Sequence, residues 1–169
     1  MTDYIRIGKL EWIGLRDKLS NKLITPKSTY AIKDKGLEGD KMCFTKSSKR
    51  QVTLIQSEHL PIIINLSSSL DVDKKDNISS YLKRNLVISG INIQYLIKKY
   101  FRIGEAILYG TGDCKPCKKI ENNLGKSTFV GMCGMGGITA SIIRSGKINI
   151  EDKVELAGTD EEDLLWWVR

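Results

Sequence analysis

Short runs rich in β-branched and aliphatic residues recur along this chain, and turns containing glycine separate most of them. A chain assembled from many short strands with glycine turns and few helices folds as a barrel or a sandwich rather than as a doubly wound parallel sheet. The predicted class is therefore mainly β (α+β), with a few short helices. The predicted strands lie within residues 4–15, 51–56, 85–93, 102–109, 138–143 and 153–156.

The remaining segments predict short helices and loops. A helix is expected to begin within residues 57–61, and two others within 77–84 and 118–123. Residues 16–30 and 71–76 are interpreted as loops because they are polar. From residue 159 an N-cap threonine, acidic residues and two tryptophans predict an amphipathic helix. The chain is thus divided into a β domain over residues 1–158 and a C-terminal helical tail over residues 159–169.

Length and composition indicate one globular domain. The chain has 169 residues, of which 41% are hydrophobic and 28% are charged, which suffices for a hydrophobic core without disulfides. No apolar run approaches the roughly 18 residues that a bilayer span requires. The N-terminus lacks the apolar segment of a secretory signal, so a cytoplasmic location without membrane association is expected.

The formal net charge is +7, but the charge pattern does not predict a nucleic-acid interface. Lysines are scattered, and neither a recognition motif nor a platform of alternating aromatic and basic residues occurs. No nucleic-acid partner is expected. Positive charge is concentrated locally in residues 114–126, where Lys115, Lys118, Lys119 and Lys126 face Glu121 alone.

The four cysteines do not resemble a disulfide framework. Cys43 and Cys133 lie alone, whereas Cys114 and Cys117 form a Cys-x-x-Cys pair. In a reducing compartment, such a pair is typical of thiol chemistry or a metal site.

Two interpretations of the pair are weak. A thioredoxin-like redox site needs a proline C-terminal to the motif, and the last proline is Pro116, within it. A structural zinc site needs four ligands, usually in two close pairs. Here Cys43, Cys133 and His59 would each have to come singly from distant segments.

A third interpretation is one working thiolate at Cys117. Only the thiolate attacks or ligates, and neighbouring cations lower the pKa of a thiol. The lysines around Cys117 would do so, and a helix beginning near Pro116 would add partial positive charge. Thiolate sulfur in such surroundings suits a soft metal or can carry sulfur itself.

At this point the sequence resembles the MOSC domain family, named after the C-terminal domain of molybdenum cofactor sulfurase, and in particular its small stand-alone members. The resemblance rests on a series of short motifs in the family's order. They are the Gly-x-x-Gly-Asp turn at 36–40, the strand at 50–55, the Asn-Leu segment at 85–91, the strand at 101–108, Cys-x-Pro-Cys at 114–117, the glycines at 136–137 and the closing strand around 152–154.

The resemblance implies a twisted β-barrel whose key residue is Cys117, which either carries sulfur as the reactive cysteine or ligates molybdenum in molybdenum cofactor (molybdopterin). It implies a cofactor-binding or sulfur-carrier protein in molybdenum cofactor or metal-sulfur cluster sulfuration. The expected partners are a cysteine desulfurase or sulfurase-type donor and a molybdoenzyme or metal-sulfur acceptor. No pyridoxal phosphate site is expected in this chain, because that cofactor would belong to the partner sulfurase.

Glycine turns beside Lys or Arg can bind the phosphate of such a cofactor. The candidate cofactor-binding residues are Gly36, Gly39, Asp40, Arg50, Asn85, Lys118 and Lys119. For the glycines a structural role is favoured, Asp40 is either a ligand or a turn cap, and Cys114 is either a resolving thiol or a buried bystander.

Two alternative functions stay open. One is a small molybdenum-dependent reductase of N-hydroxylated compounds, and the other is a non-catalytic binding module with a structural cysteine pair. As an enzyme, the chain would be a sulfur transferase or a molybdenum-dependent oxidoreductase. Lys41, Met42 and Arg84 depart from the residues common in the family at these positions, where Arg-His and an acid are frequent.

Overall fold

A computed structural model describes residues 7–45, 49–68 and 70–158. The predicted helical tail over residues 159–169 lies outside the described residues. The strands are β1 (Gly8–Ile13), β2 (Leu15–Arg16), β3 (Leu23–Ile24), β4 (Ser28–Ile32), β5 (Gly36–Leu37), β6 (Val52–Gln56), β7 (Leu86–Ser89), β8 (Tyr100–Ile103), β9 (Ala106–Asp113), β10 (Ile138–Arg144), β11 (Gly146–Asn149) and β12 (Lys153–Gly158).

The helices are short and lie between strands. They are α1 (His59–Leu66), α2 (Val72–Asp76), α3 (Ile78–Tyr81), α4 (Lys118–Leu124) and α5 (Lys126–Gly131), with 3₁₀ turns at Lys41–Phe44 and Ile93–Leu96. None of the helices in the described part of the chain is long and apolar enough to cross a membrane.

Seven of the described strands close into a barrel in the order β1-β12-β8-β9-β10-β6-β7. Strand β7 pairs with β1 and completes the ring. The mainly β class and the barrel are therefore confirmed. One pair, β6 with β7, is parallel, and parallel neighbours need a long crossover connection. The segment that contains α1, α2 and α3 provides it.

The crossover gives the molecule two hydrophobic cores. On β6, Val52 and Leu54 face the barrel interior, whereas Ile55 belongs to a second cluster beneath the helices. On β7, Leu86 faces the barrel interior and Val87 belongs to the second cluster. Because strand side chains alternate between faces, and both faces are covered here, these strands read as nearly continuous apolar runs.

Three predictions at the level of single elements were wrong. Residues 16–30, predicted as a loop, contain β3 and the first part of β4, because β4 pairs with the distant β11. Residues 71–76, predicted as a loop, contain α2, whose N-cap Asp71 accepts a hydrogen bond from the Lys74 amide. The strand predicted at 102–109 is a hairpin of β8 and β9, which turns at Gly104 with φ +55°.

The glycine-rich segment after α5 anchors the loop that carries Cys114 and Cys117. The amide of Cys114 donates to the carbonyl of Gly137 at 2.8 Å. Gly137 has φ +92°, and a Cβ built there would lie 1.9 Å from the carbonyl oxygen of Leu54 in β6. Any side chain at residue 137 would therefore push the segment away from the barrel.

We expect Gly137→Ala to lower the free energy of unfolding by more than about 3 kcal/mol, since it combines a backbone clash with an unfavourable φ. Gly134→Ala is the matched control. Its φ is +78°, but nothing lies within 4 Å of the added Cβ, so only the φ cost of about 1–2 kcal/mol applies. Urea unfolding of both variants checks this, and equal losses would contradict it.

Candidate functional site

A cavity of about 690 Å³ lies where the barrel meets the helical layer. Its walls come from the β2–β3 hairpin, the turn at Asp40, the start of β6, the segment between α3 and β7, and the start of α4. The cavity brings together most of the predicted site residues, namely Asp40, Arg50, Asn85, Cys117, Lys118 and Lys119. The predicted glycines Gly36 and Gly39 do not line it.

The cavity is strongly cationic. Among the described residues that line it, the one carboxylate is that of Asp40. The cationic side chains are those of Arg16, Lys41, Arg50, Lys83, Arg84, Lys118 and Lys119. A concave surface lined by one sign of charge attracts ligands of the opposite sign, so the cavity favours an anion.

Asp40 is buried, and both of its carboxylate oxygens are occupied by the protein itself. Oδ1 accepts a hydrogen bond from the Met42 amide at 2.8 Å. Oδ2 accepts from the Arg16 amide at 2.9 Å and from Nδ2 of Asn85 at 3.1 Å. The carboxylate therefore caps the 3₁₀ turn and fixes the hairpin strand beside it, as the turn-cap interpretation expects.

The carboxamide of Asn85 is also buried and fully used. Its Oδ1 accepts from the amide and the hydroxyl of Thr53 at 3.1 and 3.0 Å. Its Nδ2 donates to the Gly14 carbonyl and to Asp40, both at 3.1 Å. An Asn side chain can donate twice and accept twice. Asn85 thus braces the cavity wall, and a direct role as a cofactor ligand stays a prediction.

Gly36 and Gly39 shape the turn rather than the cavity surface. Gly39 has φ +85°, a conformation that glycine adopts without steric cost. A Cβ at Gly36 would lie 3.1 Å from the carbonyl oxygen of Gln51. These positions favour the structural interpretation of both glycines.

Arg16 is a cavity residue that sequence reasoning missed. Its Nη2 is buried and has no hydrogen-bond partner among the described residues. Burial lowers the pKa of its guanidinium, and Asp40 acts in the opposite direction. A buried donor without a partner costs about 1–3 kcal/mol, so this N–H group is available to an anionic ligand.

Cys117 is exposed and precedes α4 directly as its N-cap. Partial burial acts to raise the pKa of its thiol, but the backbone N–H groups of Lys119 and Ile120 and the charges of Arg84 and Arg50 outweigh it. The pKa of Cys117 is therefore lowered. The helix start contributes as predicted, and the charged side chains with the largest effect are Arg84 and Arg50.

Cys114 has different surroundings from Cys117. It is buried, at 1% exposure, and Nη2 of Arg50 lies 3.7 Å from its Sγ. All four cysteines are free thiols. The burial fits the bystander interpretation and leaves Cys117 as the accessible sulfur of the pair.

The zinc interpretation finds no support in the geometry. In residues 7–45, 49–68 and 70–158, which include every cysteine and the histidine, no three potential metal-ligating residues of the His, Cys, Asp or Glu type cluster together. A structural zinc site would need such a cluster.

The thiol environments predict an order of reactivity. Burial raises the pKa of Cys43, with Asp40 and Glu38 adding to it against Lys35, whereas the pKa of Cys117 is lowered. Because the thiolate is the nucleophile, iodoacetamide at neutral pH should label Cys117 at least several-fold faster than Cys43. Peptide mass mapping over a time course measures both rates.

Unfolded protein provides the control. At a pH below the pKa of Cys117 in the unfolded chain, iodoacetamide should label Cys117 faster in the folded protein than in the unfolded one. The difference in rate should vanish as the pH rises above that pKa. Equal rates for Cys117 in both states at neutral pH would contradict the lowered pKa.

Comparisons with known proteins agree with this architecture. The family model of the MOSC domain matches residues 40–155. YuaD from Bacillus subtilis is similar in structure, with a TM-score of 0.70 and 18% identity over 88% of this chain and 94% of that one.

YiiM from Escherichia coli has a TM-score of 0.63 and 18% identity over 95% of this chain and 78% of that one. YiiM from Geobacillus stearothermophilus has a TM-score of 0.62 and 10% identity over 95% and 84%. At these identities the structures show a shared fold. A search of curated proteins gave no significant match.

Proposed function

Because the chain belongs to the MOSC domain family, which is linked to molybdenum cofactor binding, we propose that the cavity binds this cofactor and that the Cys117 thiolate ligates its metal. One observation carries the proposal. An exposed thiol with a lowered pKa opens into a cavity whose charged side chains are nearly all cationic.

The residues of the cavity fit the chemistry of this cofactor. Its dithiolene already supplies two sulfur ligands, so one soft protein thiolate suffices and a cluster of protein ligands is not required. Its phosphate is an anion, and the cavity offers Arg16, Lys83 and Lys119. Bound phosphate would give the unpartnered Nη2 of Arg16 a hydrogen-bond acceptor and so remove the cost of an unsatisfied buried donor.

Each part of the chain has a distinct role in this proposal. Cys117 provides the thiolate, and the amides at the start of α4, followed by Arg84 and Arg50, stabilise its charge. The cofactor would supply redox chemistry or a site for terminal sulfur. Asp40 and Asn85 support the cavity wall. Their mutual hydrogen bond connects the turn at Asp40 to the barrel.

A second candidate function is sulfur transfer, favoured by the exposure of Cys117, which lets another protein approach the sulfur. The Cys117 thiolate would attack the outer sulfur of a donor persulfide. One S–S bond forms at Cys117, the donor S–S bond breaks, and the donor leaves as a thiolate, so no external oxidant or reductant is needed. A cysteine desulfurase or sulfurase would be the donor, and a molybdoenzyme or metal-sulfur protein the acceptor.

Reduction of N-hydroxylated compounds is a third role that the same cavity allows. It requires metal that is retained after purification and an electron-donating partner. The metal content of purified protein therefore separates the reductase role from sulfur transfer. Sulfur transfer needs sulfur on Cys117 but does not need retained molybdenum.

We expect protein purified from a host that makes molybdenum cofactor to contain molybdenum and pterin, and Cys117→Ser to lose most of both. Elemental analysis and pterin fluorescence after acid release give the two quantities. A mass increase of one sulfur atom on the wild type alone would instead favour the carrier role. Cys133→Ser, which changes an exposed thiol away from this cavity, should match the wild type.

The cofactor-binding proposal fails if Cys117→Ser retains wild-type molybdenum, or if the wild type contains none. The carrier role fails if no added sulfur occurs on the wild type. Zinc in the wild type and in Cys133→Ser, but not in Cys117→Ser, would support a structural cysteine pair that holds zinc instead.

Arg16→Met tests the anion site separately. Arg16→Met removes the cost of the unpartnered N–H group and also the attraction between Arg16 and Asp40. These effects oppose each other, so the stability of the cofactor-free protein should change little, while pterin content falls several-fold. Arg144→Met, at the end of β10, is the control and should keep pterin content. Full pterin retention by Arg16→Met would exclude Arg16 from phosphate binding.

A further inference from the structure

A second, smaller cavity of about 150 Å³ adjoins the loop that carries Cys117. The loop contributes to both cavities, because Cys117 lines the larger one and the three residues before it line the smaller one. The walls of the smaller cavity are Gln94, Asp113, Cys114, Lys115, Pro116, Gly134, Gly136 and Gly137. Within the described part of the chain, the two cavities share no lining residue, so the smaller one is a distinct site.

Two backbone N–H groups in the wall of the smaller cavity lack an acceptor. Those of Lys115 and Gly137 have no hydrogen-bond partner among the described residues. Gly137 is a buried residue, and a buried N–H group without a partner is rare and costs free energy. Such a group indicates an acceptor that the protein does not itself supply, either ordered water or a ligand.

The hydrogen bonds of Arg84 determine the direction of both N–H groups. Its Nη2 donates to the Cys114 carbonyl at 3.0 Å, and its Nε donates to the Gly136 carbonyl at 2.7 Å. In a planar trans peptide, the carbonyl and the N–H of the next residue point in opposite directions. The N–H groups of Lys115 and Gly137 therefore point away from Arg84, which lines the larger cavity but not the smaller one.

The segments that carry these two N–H groups are held together. The Cys114 amide donates to the Gly137 carbonyl at 2.8 Å. A Cβ at Gly136 would lie 2.4 Å from the Cys114 carbonyl oxygen, so only glycine allows the segments to approach this closely. The two donors are thus fixed before any ligand arrives, and binding does not have to order them.

Side chains add charges of both signs to the smaller cavity. Lys115 supplies an exposed ammonium group, and Asp113 supplies an exposed carboxylate. The carboxamide Nε2 of Gln94 lies 3.5 Å from the Gly137 carbonyl oxygen, which places a further donor at the wall. An anion in this cavity would be attracted by Lys115 and repelled by Asp113, so the two residues should affect its affinity in opposite directions.

We propose that the smaller cavity binds one oxyanion group, a carboxylate or a phosphate, through the N–H groups of Lys115 and Gly137 and the ammonium of Lys115. Neighbouring backbone N–H groups in glycine-containing turns are a frequent anion-binding arrangement. The volume of about 150 Å³ suits a small ligand.

The position of the smaller cavity indicates a class of substrate. Cys117 follows Lys115 by two residues, so their Cα atoms are at most about 7 Å apart. A small substrate that carries one carboxylate or phosphate would be anchored beside the thiol. This assignment of a substrate class rests on the function proposed for Cys117, whereas the anion site itself does not.

Amide NMR spectra of the full chain, purified from a host that cannot make molybdenum cofactor, test the anion site. Sodium phosphate and sodium acetate are titrated separately at constant pH and ionic strength, which removes general screening as a cause of shifts. Either anion should move the N–H signals of Lys115 and Gly137 along one saturable curve, with a Kd in the millimolar range. The anion that binds more tightly identifies the group, and no response of these two signals to either anion would overturn the proposal.

Substitutions of exposed side chains separate a built site from general attraction to a basic surface. Lys115→Met should raise the Kd about two- to fivefold, and Asp113→Asn should lower it by a similar factor, because each removes one exposed charge. Lys126→Met is the matched control, since Lys126 is an exposed lysine of a separate surface pocket, and it should leave the Kd unchanged. Equal weakening by Lys115→Met and Lys126→Met would overturn the proposal.

Arg16→Met distinguishes this site from the larger cavity, where phosphate is also expected to bind. The signals of Lys115 and Gly137 should keep their saturation curves in this variant. Loss of both curves would mean that an anion in the larger cavity caused them, and it would overturn the proposal. If purified wild type holds neither molybdenum nor added sulfur, the proposed function fails, while the anion titration still tests the smaller cavity.

Discussion

The cavity depends on one buried carboxamide more than on any other group. The four hydrogen bonds of the Asn85 side chain join the link after β1, the strand β6 and the turn at Asp40. Because Asn85 directly precedes β7, the parallel pairing of β6 and β7 sets its position. Asp40 then transfers that constraint to the hairpin through the Arg16 amide. Residues that are far apart in sequence thereby meet on one rigid wall.

The parts of the fold that the sequence predicted are those in which local pattern and burial agree. Strands such as β6, β10 and β12 are continuous apolar or alternating runs, and their hydrophobic pattern follows from the faces that they bury. The two-residue strands β2, β3 and β5 carry no such pattern. Likewise β4 exists because β11 pairs with it from more than a hundred residues away, and such pairing is not encoded locally.

The site shows the same division. The position of Cys117 followed from the Cys-x-Pro-Cys motif, and Asp40, Arg50 and Asn85 followed from short motifs of the family. Arg16 ends a two-residue strand and Arg84 follows a helix, and no local pattern places the two on one cavity. Arg84 did carry one sequence signal, since an acid is frequent at this position in the family. In the structure, the arginine that replaces this acid is a buried cation that donates a hydrogen bond to the cysteine loop.

The placement of Cys117 also determines how the protein responds to oxidants. A thiolate that is both favoured and exposed reacts first with peroxide to give sulfenic acid, and further oxidation to sulfinic acid is irreversible for most proteins. Since the sulfur lies outside both hydrophobic cores, this damage would leave the barrel folded. Protein handled in air would then lose the chemistry of Cys117 while its circular dichroism and melting temperature stay unchanged, so folding alone is a poor measure of an intact preparation.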